Sequence, residues 1–320
     1  MSGPRDDATV AAVLDVGSNS SLLLAVAVDA TGRARALDEA LVTTRLGAGL
    51  RAGGALDPAA RARTHAAVAD LIARARAAGA DRVWAFATGA VRRAVDGPAF
   101  IAELAEANGI PVEVLRGARE ATLAYRAAVH GLGLDDAPVL VTDIGGATTE
   151  LTTGRGDAIG TTASVPLGAL ALTETYVHDA GAIVAAVDMA LAGIPSLASA
   201  RGRAKSLIAS GGTATALAAI DLGLTRYDPA RVHGHRLGRG VVAGLAERLL
   251  RMPATERAGL GGLDPGRAAI LPAGALVLDG ILRCVDAGEV IVSDHGVRHA
   301  YLRERLADAG LTPDLRALWS

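Results

Sequence analysis

Two stretches of this chain follow one plan. VAAVLDVGSNSSLLL runs from Val10 to Leu24, and VLVTDIGGATTEL runs from Val139 to Leu151. Each opens as an apolar run that ends in an aspartate, Asp15 or Asp143. A glycine follows two positions later, Gly17 or Gly145, then small residues, then a second apolar run. A short apolar run bounded by turn residues reads as a buried strand. Each stretch is therefore expected to be a β-hairpin with a carboxylate at the mouth of its turn. The two aspartates lie 128 residues apart. D-x-G is a common turn, but a chance recurrence does not require matching strands on both sides. The repeat predicts two domains of one design, each presenting such a turn, facing each other across a cleft.

The remaining punctuation fits that design. Val10–Leu14 reads as the first strand, and the residues up to Gly47 as a meander with a turn at Thr31–Gly32. Pro58, behind Asp57, opens an alanine-rich helix that Gly79 ends. ADRVWAFAT reads as a strand, GAVRRAVDGPAFIAELAEANG as helical up to Gly109, and IPVEVLRG as a short strand. AREATLAYRAAVHGLG reads as a helix with Gly131 at its end. The polar, acidic LDDAP at Leu134–Pro138 marks a boundary between a first domain, 1–132, and a second, 133–320. Beyond it come the strand VLVTDIGG, one strand in ELTTGRGDAIGTTASVPLG, helices, the strand SLIASGG, more helices and the strand EVIVSDHG. The last helix, YLRERLADAGL, is free to pack back on the first domain. Alternating strands and helices predict an α/β fold.

Composition narrows the function classes. Of the 320 residues 51% are apolar, enough for two cores and too many for a disordered chain. The 32 basic and 34 acidic residues leave a net charge of −2, which argues against a general binder of nucleic acid or membrane surface. Lys205 is the only lysine, so any cationic site must be built from arginine. The single cysteine, Cys284 in the apolar LVLDGILRCV, forms no internal disulfide and reads as an inert buried thiol in a reducing cytoplasm. MSGPRDDATV lacks a signal-peptide core, and no uncharged apolar run reaches the roughly 18 residues of a membrane span.

Successive N–H groups at a glycine turn form a nest for anions. Gly17, Ser18, Asn19 and Ser20 make one candidate cradle, and Gly145, Gly146, Ala147 and Thr148 the other. Neither matches the P-loop or the dinucleotide fingerprint, and no lysine caps a phosphate. Phosphate here needs arginine and a metal ion to balance its charge. Magnesium takes oxygen ligands. Asp143 and Glu150 could offer them from two sides of one turn, with Asp15 contributing from the other domain. The plainer reading has Asp15 and Asp143 bond only to their own turns. Arg92 and Arg93 lie near the start of a helix, where an anion is favoured, and only one of two adjacent helical residues can face the cleft. Gly211-Gly212-Thr213 follows another strand, either to approach a ligand or to close-pack strand on helix. Asp294, Gly296 and Arg298 follow the last strand. His233 and His235 lack a third ligand at metal spacing and read as an exposed basic loop. Glu120 by itself reads equally well as an ordinary exposed helix carboxylate.

Taken in order, VLDVGSNS, FATGAVRRA, LRGAREATLAY, DIGGATTEL, SVPLGALALTE, SGGTATALAAI, RAAILPAGALVLDGIL and VSDHGVRHAYL resemble the motif series of the Ppx/GppA phosphatase family over nearly the whole chain. That family belongs to the acetate kinase, sugar kinase, Hsc70 and actin superfamily. The resemblance implies two ribonuclease H-like, actin-like ATPase domains facing an interdomain cleft. It implies that Glu120 activates the attacking water, that Asp143 and Glu150 serve magnesium (or manganese) and water positioning, and that Arg92 binds phosphate. The turns Gly17–Ser20 and Gly145–Thr148 would cradle successive phosphates, with Gly212 and Arg298 as further substrate-binding candidates. The implied activity is a cytoplasmic exopolyphosphatase that releases terminal orthophosphate from inorganic polyphosphate. A homodimer is compatible with the resemblance.

The same chemistry would serve guanosine pentaphosphate, although 2% aromatic residues leave little to stack a purine on and arginine would have to substitute. A superfamily kinase is opposed by Glu120 and the family motifs. A non-catalytic sensor of polyphosphate or alarmone is opposed by the intact Glu120, Asp143 and Glu150. The chain departs from the family pattern at Ala147 and Thr148, which replace glycine and serine, at Gly89 for serine, at Arg119 for glutamate, and at His299-Ala300 for Glu-Gly. Longer members carry an additional helical C-terminal region that this sequence does not include. Ala147 fits its turn if φ is negative; a positive φ would cost about 1 kcal/mol or more.

Overall fold

A computed structural model of the chain describes residues 8–134, 136–177, 179–201, 206–316 and 318. The polar N-terminal residues 1–7, Asp135 of the acidic break and Lys205 lie outside the described residues. Two compact units emerge. One takes the chain up to Leu46, Leu50–Leu115 and the residues from Arg298 onward; the other takes Gly47–Gly49 and Arg116–Val297.

The first unit runs β1 (Thr9–Val16), β2 (Ser20–Val28), β3 (Ala34–Thr43), α1 (Pro58–Ala77), β4 (Arg82–Ala87), α2 (Gly89–Arg93), α3 (Gly97–Asn108) and β5 (Val112–Val114). Its sheet has the order β3-β2-β1-β4-β5. β1 to β3 form an antiparallel meander, while β4 lies parallel to β1 and β5 parallel to β4. Parallel neighbours need a crossover, and α1 supplies the first. It starts where the Asp57 side chain accepts the Ala60 N–H at 2.8 Å, with Pro58 in the first turn. Its buried Ala60, Val68, Leu71 and Ala75 follow helical spacing. Val68 and Leu71 share a core with Leu14, Leu23, Phe100 and Leu104.

The second unit begins with α4 (Gly117–Leu132), then β6 (Pro138–Ile144), β7 (Thr149–Arg155), β8 (Ala158–Val165), α5 (Ala169–Tyr176), α6 (Ala180–Leu191) and α7 (Pro195–Ala200). It continues through β9 (Ser206–Ser210), α8 (Gly211–Asp221), α9 (Pro229–Val232), β10 (Arg236–Gly238), α10 (Arg239–Arg251), α11 (Ala254–Arg257), α12 (Leu271–Val285) and β11 (Glu289–Val292). The sheet order is β10-β11-β9-β6-β7-β8. Without the short antiparallel edge β10, this is the order and strand sense of the first sheet. Strand alternation sorts β6 between two faces. Leu140 joins Leu151, Val277 and Ile281 in the larger core. Val139 and Val141 pack with Tyr125 and Val129 of α4. Each such apolar burial contributes about 1.5–3 kcal/mol. The last helix, α13 (Val297–Asp308), belongs to the first unit from Arg298 on.

Four local features differ from what the sequence predicts. Chain punctuation divides the domains after residue 132, whereas α4 groups with the second unit because its apolar stripe is buried on β6 and β9. Gly131 does not end α4. It lies inside the helix, where a Cβ would run into the His295 ring, and Gly133 with φ 63° ends the helix instead. The stretch from Glu150 to Gly168 holds two strands, turned at Gly156 with φ 53°. His233 is no exposed loop residue: its ring stacks on His295 with centroids 4.5 Å apart, and its Nδ1 accepts the Asp294 N–H at 3.2 Å. No helix among the described residues is long and apolar enough to cross a membrane.

Candidate active site

The register of β6 on β7 sets Asp143 directly opposite Glu150. Opposite residues share a face of the sheet. Asp143 continues the alternation of Val139 and Val141, so both acids lie on the face that α4 covers, and α4 carries Glu120 in its first turn. Thr152 of β7 donates through Oγ1 to the Ala121 carbonyl at 3.4 Å, tying that turn of α4 to the sheet. Glu120 is 9% exposed and Glu150 3%.

The three carboxyls act on one another. Burial, and after it the charge of Glu120, pushes Asp143 up to about 7, while the Ser210 hydroxyl and the Arg267 guanidinium pull the other way. Burial, then Glu120 and Asp143, pushes Glu150 well above the usual carboxylate range. Ser164, opposite it on β8, donates to Glu150 Oε1 at 2.7 Å and opposes that rise, as does Thr148. Acids crowded together in a protein interior favour retaining a proton or acquiring a cation.

Glycines let the backbone close around these groups. Gly211 has φ +83°, and a Cβ there would strike Asp143 Oδ1; a Cβ on Gly212 would strike the Arg267 guanidinium. The glycine pair after β9 therefore packs against site side chains. The turn itself closes when the Gly145 N–H donates to Thr148 O at 2.9 Å. Its carbonyls are drawn to the start of α5: Ala169 N–H donates to Gly145 O at 2.9 Å, and Leu170 N–H to Gly146 O at 2.9 Å. Among the described residues, no protein acceptor engages the N–H groups of Gly146, Ala147 or Thr148, which leaves them available to an anion. Ala147 is not among the residues with positive φ, so its methyl adds no backbone strain.

In the first unit the turn after β1 has the same closure, Gly17 N–H to Ser20 O at 3.0 Å, but Asp15 stands opposite Leu22. A Cβ on Gly17 would come within 2.8 Å of Ser20 O, so only glycine fits. Asn19 O accepts from Thr44 N at 3.0 Å and Arg45 N at 2.8 Å, and Asn19 Nδ2 donates to Ser20 Oγ at 3.1 Å. The hydroxyl of Ser18 is part of the same buried turn. Arg92 donates through Nη1 to Leu115 O at 2.7 Å, and Arg93 through Nε to Gly89 O at 3.3 Å. Arg298 forms an ion pair of 3.0 Å with Glu39 of β3. The candidate metal ligands thus divide, Asp15 in the first unit and Asp143 with Glu150 in the second. Among the described residues, no three carboxylate, imidazole or thiol side chains stand together as a complete ligand set.

Sequence patterns gave no role to Arg267, Ser164, Ser210 or Gly168, although each falls within one of the family-like motifs. Ser164 becomes visible only once β7 and β8 are separated and paired. Arg267 is the last residue of a single 3₁₀ turn, with no periodicity to mark it. Gly168 precedes α5, where a Cβ would collide with the Gly146–Ala147 backbone.

Comparison with known proteins agrees with this architecture. The chain matches the Ppx/GppA phosphatase family over residues 25–308. It is 32% identical over 307 residues to Exopolyphosphatase 2 of Mycobacterium tuberculosis, covering 90% of this chain and 96% of that protein. Exopolyphosphatase 1 of Mycobacterium leprae is 27% identical over 314 residues, covering 92% and 88%. The crystal structure of the Aquifex aeolicus member of the Ppx/GppA family matches with a TM-score of 0.76 at 26% identity, covering 94% and 99%. The fold is shared as well with an exopolyphosphatase from Cytophaga hutchinsonii, at a TM-score of 0.84 and 22% identity over 96% and 100%. The chain belongs to the Ppx/GppA phosphatase family and is a phosphoanhydride hydrolase built from two α/β units of one sheet plan.

Proposed function

We propose that this chain is an exopolyphosphatase, releasing terminal orthophosphate from inorganic polyphosphate at the acids of the second unit. The observation that carries the reading is the gathering of Glu120, Asp143 and Glu150 beside a turn with unengaged N–H groups and the Arg267 guanidinium. Phosphoryl transfer asks for a held phosphate, balanced charge and an oriented nucleophile. The Gly145–Thr148 turn would hold the terminal phosphate through its N–H groups, and Arg267 would draw on its oxygens. Glu120 would accept the proton of a water attacking the terminal phosphorus. A P–O bond forms to that water and the bridging P–O bond breaks, leaving orthophosphate and a chain one phosphate shorter. The proton then leaves Glu120 for solvent.

Asp143 and Glu150 are suited to a divalent cation. Their ionisation is opposed by burial and by neighbouring acids, a penalty that a hard dication relieves. Magnesium needs only one or two carboxylates alongside water and phosphate oxygens. Bound there, magnesium or manganese would neutralise charge on the phosphate. Asp15, Gly17, Ser18, Asn19 and Ser20 are proposed as a second phosphate-binding turn on the first unit, with Arg92 and Arg298 as the arginines of that unit. Gly212 would act by admitting Arg267. The names of the mycobacterial relatives support polyphosphate as substrate.

Guanosine pentaphosphate is the competing substrate. Orthophosphate release from polyphosphate and from guanosine pentaphosphate, each with magnesium and with chelator, separates them. The reading expects faster release per active site from polyphosphate, abolished by chelator. Faster release from guanosine pentaphosphate would overturn the substrate assignment, and release unaffected by chelator would overturn the metal.

A further inference from the structure

Arg257, at the end of α11, is 4% exposed, and its partners are all backbone carbonyls. Nη1 donates to Leu249 O at 2.7 Å and Met252 O at 2.8 Å, and Nε donates to Ala268 O at 2.8 Å. Two of these acceptors share a reason for needing an outside donor. The helical partner of Leu249 O would be the N–H of residue 253, and that of Ala268 O the N–H of residue 272. Both positions are proline, which has no N–H. A buried carbonyl without a donor is costly, and a cation at the C-terminal end of α10 is favoured by the helix dipole.

The third bond has a further consequence, because Ala268 directly follows Arg267. Residues 264–270 form a tight turn, with Arg267 N–H donating to Asp264 O at 3.0 Å and Ile270 N–H to Arg267 O at 3.0 Å. That turn sets the guanidinium of Arg267 against Gly212 and beside Asp143. We infer that Arg257 is a positioning residue: from the interior it clamps the turn that carries Arg267 to the end of α10, and so fixes the Arg267 guanidinium over Gly212. The clamp needs the fork of a guanidinium, since one group must reach carbonyls on two separate segments; an ammonium is a single point of donation.

The clamp itself stands on the geometry, while its effect on turnover rests on the exopolyphosphatase reading. The test is a cycle of the whole chain: wild type, Arg257→Met, Arg267→Ala and the double variant, with Arg257→Lys as the milder lesion. The readouts are kcat and KM for phosphate release from polyphosphate, corrected for folded fraction. A misplaced positioning group costs roughly ten- to a hundredfold. Arg257→Met is expected to lose that much in kcat/KM, Arg257→Lys to recover part of it, and Arg257→Met to add nothing once Arg267 is alanine. A crystal structure of Arg257→Met, or of Arg257→Lys if the methionine variant does not fold, should show Arg267 displaced from Gly212. The inference is overturned if Arg267 stays over Gly212, if the two losses multiply, or if only Tm falls. Should wild type release no phosphate from polyphosphate, the substrate reading fails, and the position of Arg267 still decides the role of Arg257.

Discussion

The hairpins β1–β2 and β6–β7 have one backbone and two chemistries. Each closes when the first glycine donates to a carbonyl three residues on, at 3.0 Å in the first unit and 2.9 Å in the second. Each has an aspartate two positions before that glycine. Across the strand pair, however, Asp15 meets Leu22 and Asp143 meets Glu150. The helix on the aspartate face differs too. In the second unit it is α4, bringing Glu120 to the acids. In the first unit Phe86, the neighbour of Asp15 on β4, meets Tyr301 of α13 with ring centroids 4.8 Å apart. On the proposed reading both copies present a turn for phosphate, and only the second copy adds the acids for hydrolysis, which makes turn and catalyst separable parts.

The largest effect should come from Glu120, one of the two acids without a counterpart in the first unit. Glu120→Ala is expected to lower kcat for phosphate release by about 10²–10⁴ while leaving polyphosphate binding, measured by calorimetry, within a few-fold of wild type. Loss of binding with kcat intact would place Glu120 in the substrate cradle instead. A smaller effect concerns stability and pH. With its pKa raised from 3.8 to about 7, Asp143 contributes stability that is complete below 3.8 and is lost as pH rises through 7. In chelator, Asp143→Asn should therefore gain on wild type by about 2–4 kcal/mol between pH 4 and pH 8. Denaturant melts of the two proteins at several pH values measure the difference, and a gap independent of pH would mean Asp143 is not strained by its neighbours. The smallest effect is expected where the turns differ least. Ala147→Gly restores a glycine to a position of negative φ, and should cost about 0.4–1 kcal/mol in stability through chain entropy with kcat changed less than about twofold. A large gain in kcat would show that the alanine methyl obstructs phosphate.

Much of this was legible before the structure because it is local. The strand–Asp–x–Gly plan recurs in plain sequence, and it foretells both the paired hairpins and the duplicated sheets. The caps of α1, Asp57 and Pro58, are equally local. What escaped depends on partners far along the chain. Gly131 looks like a helix stop until His295, far along the chain, is seen to need the space. Ser164 is an unremarked strand residue until β8 pairs with β7 and sets it against Glu150. Arg267 ends a 3₁₀ turn and Arg257 a four-residue helix, too short for periodicity, and what they meet, Gly212 and the carbonyls four residues before two prolines, emerges only in the fold. Glu120 taken alone reads as an ordinary helix acid; the family resemblance marks it in the sequence, and its burial against the sheet sets it apart in the structure.

The separation of turn from catalyst is tested most directly by making the second hairpin resemble the first. Glu150→Leu reproduces the Asp15–Leu22 pairing at Asp143. Replacing a buried acid by an apolar residue of similar volume is often neutral or stabilising, so the variant should fold with a Tm equal to or above that of wild type in chelator. With magnesium present, its orthophosphate release from polyphosphate should fall by at least about a hundredfold. Release at the wild-type rate from the folded variant would contradict the account.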